Sequence, residues 1–216
     1  MVRFLDAWTQ LPSGDLLRWL LPAGGMALLV LMPGRLVARI GAGAVGLALV
    51  IAPDEMVPHP LRWGWVLLWM IGAWAVRSAR AAGRSGARLG WIESGAIGLL
   101  LALALLGILM ATIARADLPP EIGRRVSYGV LVTWLGLLHL MLRRHTVRLA
   151  IGLTILGFGL QVLECAAHES SPETTSAPAT ILLATMVAAA LAVRVGRTRE
   201  RVARSPWVSD AHDLHD

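Results

Sequence analysis

Residues that could do chemistry are few here, and they fall inside or at the ends of long apolar stretches. Gln161 and Glu164 lie one helical turn apart in LAIGLTILGFGLQVLEC, on a shared face if that stretch is a helix. A carboxylate so placed could carry an ion or a proton, with the amide beside it as a hydrogen-bonding neighbour on the same path. Ionisable groups inside a bilayer are costly and are the default functional candidates there. Glu93 at the cytoplasmic mouth of a fourth apolar block and His139 one turn inside a fifth complete the ionisable set. Each also has a structural reading: Glu93 solvated or paired with Arg88, His139 bonded to a neighbouring helix, Glu164 within reach of water at a span end. His139 has no second intramembrane histidine for a bis-histidine haem.

Other chemistry is not signalled. No Ser-His-Asp order, H-E-x-x-H or phosphate loop falls on a plausible scaffold. Cys165 is the single cysteine, so neither a disulfide within the chain, a C-x-x-C metal site nor a C-x-x-C-H haem attachment is available. Asp210, His212, Asp213, His215 and Asp216 near the C-terminus read as a solvated polar tail. No catalytic residue, cofactor site or metal site is assigned, no cofactor is expected, and enzymatic activity by this chain alone is not expected.

The elements that must position these groups are membrane helices. The chain is 56% hydrophobic with a mean hydropathy of +0.64, and its apolar residues run in long blocks rather than at amphipathic spacing. Pro, Gly and Arg punctuation divides it into seven candidate spans near 16–32, 35–52, 61–79, 91–114, 126–142, 146–167 and 177–195. The first two share only Pro33-Gly34 as a turn and read as a tight hairpin. The expected fold is an all-α polytopic membrane protein. A 1–15 interfacial segment, with Phe4, Leu5, Trp8 and Leu11 on one side, precedes a four-span region over 16–125. A three-span unit over 126–198 and a cytoplasmic polar tail over 199–216 follow.

Every basic residue is arginine, and the formal charge is +6. Arg35 and Arg39, then Arg77 to Arg88, Arg143 to Arg148 and Arg194 to Arg204 fall on alternate span ends. Asp54, Glu55, Glu169 and Glu173 mark the opposite ends. The positive-inside rule then places the N-terminus outside and the C-terminus in the cytoplasm. The 115–125 loop spoils the contrast, with Arg115, Arg124 and Arg125 against Asp117 and Glu121. Arg77, Arg80, Arg84 and Arg88 would line one face of a helical extension, to sit on lipid phosphates at roughly 1 kcal/mol each or to dock an acidic partner. Basic residues confined to short loops argue against nucleic acid as a partner. Gly41, Gly43 and Gly46, and Gly152, Gly157 and Gly159, permit close helix approach. Trp63, Trp65, Trp69 and Trp91 read as interfacial belts.

RRHTVRLAIGLTILGFGLQVLE, followed by an acidic loop and a last span ending ATMVAAALAVRVGRTRER, resembles the three-helix unit of the K subunit of respiratory complex I. The same unit recurs in the C subunit of Mrp-type sodium/proton antiporters. The whole chain looks more like component E of the group-4 membrane-bound hydrogenases. The resemblance covers residues 126–201; over 1–125 it rests on span count. It implies a membrane-arm subunit, hetero-oligomeric with antiporter-like subunits and contributing to an ion pathway. The family carries an acid in each of the last two spans. This sequence has Thr154 at the first position, and Thr180, Ala184 and Thr185 around the second. A hydroxyl cannot carry a proton as charge, so the departure favours a scaffold, an interrupted axis or rerouting through Glu164.

The expected function is therefore an accessory integral-membrane subunit of a complex I-related or group-4 hydrogenase-like assembly, in a bacterial cytoplasmic membrane. The competing expectation is a stand-alone small-solute or ion transporter, which would call for repeated broken helices at mid-membrane. Pro33-Gly34 has no clear counterpart in the second half.

Overall fold

The computed structural model describes residues 8–32, 35–78, 96–116, 118–142, 146–170 and 179–202. They form seven helices: α1 (Ser13–Leu31), α2 (Arg35–Val50), α3 (His59–Ser78), α4 (Ala96–Arg115), α5 (Pro120–Leu142), α6 (Thr146–Ser170) and α7 (Ala179–Val202). No strand occurs among the described residues. The all-helical, apolar reading is thus borne out. Four helices contain segments long and apolar enough to cross a membrane: Ser13–Leu31, Pro120–Leu142, Arg148–Glu169 and Ala179–Thr198. Shorter apolar stretches cover Leu36–Val50 and Leu103–Arg115.

Helix ends follow local chemistry. Asp15 in the first turn of α1 faces the positive end of the helix dipole and pairs with Arg18 at 3.3 Å. Met32, which closes α1, is extended because it precedes Pro33, and a residue before proline is pushed out of the helical region. α5 begins at Pro120, with Glu121 in its first turn. Proline is pre-organised for a first helical position, and Gly123 N–H donates to Pro119 O at 2.8 Å. The sequence-based start at 126 was therefore late: Arg124 and Arg125 lie inside the helix.

α5 and α6 pack antiparallel in the tightest contact of the fold. Glycines seven residues apart on each helix, Gly129 and Gly136 on α5 and Gly152 and Gly159 on α6, bring the two backbones together. A Cβ on Gly136 would stand 2.5 Å from Leu156 N, and one on Gly159 would strike Thr133 N. α1 and α2 are separate antiparallel helices, with Gly41 against Leu29 and Gly25 against Val45, as the hairpin reading expects. Gly46 lies against Met70 and Trp69 of α3, whereas Gly43 faces open space.

The first three helices lean on the last three. Trp19 of α1 meets Tyr128 of α5 edge-on at 5.3 Å, and Trp65 of α3 meets Phe158 of α6 at 5.3 Å. Leu182 of α7 fills the space over Gly64. One apolar cluster runs through both halves, so α6 is enclosed by α3, α5 and α7. α4 packs chiefly on α5, and its described residues are mostly exposed. Trp65 and Trp69 are buried in this core, which corrects their assignment to an interfacial belt; Trp63 is exposed. Trp8 stacks edge-on against Trp19 at 5.8 Å, tying the N-terminal segment to α1.

Candidate functional site

The enclosed helix carries the candidate site. Ala150, Thr154, Gly157, Gln161 and Glu164 recur at four- and three-residue intervals on α6 and so form one stripe. Its direction is fixed at two points: Gly157 abuts Thr185 of α7, and Ala150 clusters with Ala189 and Ala192 of α7. The stripe therefore faces α7. From Thr154 to Glu164 it climbs about 15 Å at 1.5 Å per residue.

Each polar group on this seam has a defined engagement. The Thr154 hydroxyl donates to Ala150 O at 2.9 Å, and Thr185 donates to Ile181 O at 2.7 Å. Both hydroxyls are buried and satisfied within their own helices. Gln161 is fully buried, and its Nε2 donates to Glu164 Oε2 at 2.7 Å. The same amide lies 3.9 Å from Cys165 Sγ. Glu164 and Cys165 are half-buried, and one residue beyond the next turn Glu169 pairs with Arg125 of α5.

That end of the bundle is fastened by further ion pairs. Arg62, buried at the start of α3, reaches Asp54 at 2.8 Å and donates to Ala52 O. Arg124 lies 3.6 Å from Glu55. The loop between α2 and α3 is thus tied to α5, and α5 to α6. At the opposite end Arg148, buried near the start of α6, donates to Leu29 O at 3.2 Å and Met32 O at 3.0 Å. Those are terminal carbonyls of α1, left without helical partners where the helix stops.

No family model, curated protein or solved structure matches this chain.

The sequence candidates separate into three groups. Thr154, Gln161 and Glu164 share one seam. His139 is fully buried on α5 but packs against Gly152, on the side of α6 that faces α5. Thr180 is exposed in the first turn of α7; Thr185, one turn and a half further on, is the α7 hydroxyl that meets the seam. Arg80, Arg84, Arg88 and Glu93 lie outside the described residues, as does the side chain of Arg77.

Sequence reading passed over Arg62, Arg124, Arg125 and Arg148 as structural residues. Arg124 and Arg125 were the charges that spoiled the loop contrast. Their pairing with Glu55 and Glu169 accounts for these two arginines at the end where the acids lie. The usable signal was the acids themselves, which need partners wherever a membrane surface lowers the dielectric. Chemically, the seam holds one titratable carboxylate near its end and no charge deeper in. It can hold hydrogen bonds, but at Thr154 it offers no group that changes charge.

Proposed function

We propose that this chain is an accessory integral-membrane subunit of a complex I-related or group-4 hydrogenase-like assembly, with a packing role and no redox cofactor of its own. The observation that carries the reading is Thr154, at the position where the resembled family has an acid. It is buried, and its hydroxyl is spent on Ala150 O, while the glycines of the same helix hold α5 and α6 in backbone contact. Such a unit keeps its shape without a charge to move. α4, resting mainly on α5 and apolar on its remaining faces, offers neighbouring subunits or lipid a broad contact surface.

The same proposal takes the chain across a bacterial cytoplasmic membrane seven times, with the N-terminus outside. Two groupings support this arrangement. Asp54, Glu55 and Glu169 gather with their arginine partners at one end, and Arg148 meets the last carbonyls of α1 at the other. The positive-inside rule assigns the end near Arg35, Arg39, Arg143, Arg144 and Arg148 to the cytoplasm, and so the other end to the outer face.

Purification of the tagged chain from native membranes in mild detergent tests the reading. A stoichiometric antiporter-like membrane subunit should accompany it. A chain that purifies alone and transports a solute after reconstitution would replace the proposal with a stand-alone transporter.

A further inference from the structure

Several buried side-chain polar atoms have no hydrogen-bond partner among the described residues, Trp69 Nε1 and Thr133 Oγ1 among them, and two belong to neighbouring helices of the core: the indole Nε1 of Trp65 on α3, a donor, and the amide Oε1 of Gln161 on α6, an acceptor. Both side chains are fully buried. Their helices bring them to one level. Gly157 stands opposite Thr185, so in an antiparallel pair Gln161, four residues along α6, stands opposite Ile181 and Leu182. Leu182 in turn lies over Gly64, the neighbour of Trp65. The Trp65 ring meets Phe158, which precedes Gln161 by three residues on α6. Donor and acceptor therefore border the same junction of α3, α6 and α7.

A buried donor or acceptor left unmet costs about 1–3 kcal/mol, and buried polar groups are satisfied by protein or by ordered water in the great majority of cases. Water is the small molecule that answers both defects at once, since it accepts from an N–H and donates to a carbonyl. We infer that a water molecule is bound at the α3–α6–α7 junction, accepting from Trp65 Nε1 and donating to Gln161 Oε1. These two bonds fall within the two to four that an internal water makes.

The site extends the polar seam inward. Trp65 donates to the water, the water to Gln161, and Gln161 to Glu164 at 2.7 Å. A hydrogen-bonded line thus joins the centre of the three-helix junction to the carboxylate near the bundle end. The carboxamide in the middle of that line exchanges hydrogen bonds but does not ionise, so the water is held without a titrating neighbour in direct contact. This inference stands on α3, α6 and α7 alone and is independent of any partner subunit.

The test uses the full chain in lipid bilayers with isotope-labelled indole nitrogens and water-edited solid-state NMR. The Trp65 resonance is identified by its loss in Trp65→Phe. Magnetisation transfer from water to the Trp65 N–H is expected in the wild type, and it falls several-fold in Gln161→Leu. Gln161→Met, closer in shape, serves the same purpose if the leucine variant does not fold. Absence of transfer in the wild type, including the case of a direct Trp65–Gln161 bond, overturns the inference. So does transfer that persists undiminished in the apolar variants, because the water would then not be shared with Gln161.

Discussion

Gly136 of α5 lies against the backbone of Leu156 in α6, so close that an added methyl carbon would stand 2.5 Å from its nitrogen and 2.6 Å from its Cα. Neither atom can turn aside as a flexible side chain would. Gly136→Ala should therefore destabilise the folded chain by about 1–3 kcal/mol through overpacking. Gly43→Ala is the matched control, because a Cβ there meets nothing within 4 Å. It should be neutral or stabilising by up to about 1 kcal/mol from helix propensity. Thermal unfolding in detergent separates the two.

Arg148 should behave as a fastener between distant parts of the chain. Arg148→Ala removes charge-assisted bonds to Leu29 O and Met32 O and leaves those carbonyls short of a partner. A loss of about 2–3 kcal/mol is expected, with faster protease cleavage near Met32. Arg148→Lys should recover part of it, since a lysine supplies the charge without the guanidinium's planar fork.

The Arg125–Glu169 pair joins α5 to α6 at the acidic end. Reversing one charge alone, Arg125→Glu, should lower stability by about 1 kcal/mol, the scale of a partly exposed pair. Adding Glu169→Arg should restore it. A double variant no better than the single one would show that the pair adds nothing in the folded protein.

Thr154→Val asks whether the hydroxyl takes part in ion movement. Its hydrogen bond is internal to α6, so a stability change of about 0.5–1.5 kcal/mol is expected, with assembly and any translocation by the proposed complex unchanged. Translocation lost in an intact assembly would show that the seam conducts through this residue.

Much of the architecture was legible because apolar block length and Pro-Gly punctuation report directly on long apolar helices. The Gln161–Glu164 pairing was legible too, from a three-residue spacing on one helix. What lies between helices was not. In α3 the buried Trp65, Val66, Leu68 and Trp69 alternate with the exposed Trp63, Leu67, Met70, Ile71 and Trp74. A helix apolar on every side carries no polarity contrast to tell core from lipid, so tryptophans of the core read as a belt. Nor does the sequence alone say which of Thr180, Ala184 and Thr185 meets the seam on α6. The register of α7 is set by Thr185 against Gly157 of α6 and by Leu182 against Gly64 of α3, through contacts no local pattern encodes. α5 starts ahead of the apolar block at 126 because Pro120 and the paired arginines extend the helix beyond that block.

The clasp from Arg148 to the end of α1 bridges 116 and 119 residues of sequence, which gives the fold a timetable. A ribosome adding about 5–20 residues per second needs roughly 6–24 s to pass from Leu29 to Arg148. Throughout that interval the first helix has been made and its last carbonyls lack their arginine. The N-terminal hairpin is thus completed by a residue from the second half of the chain, and a truncated product ending before α6 would keep the end of α1 without that arginine.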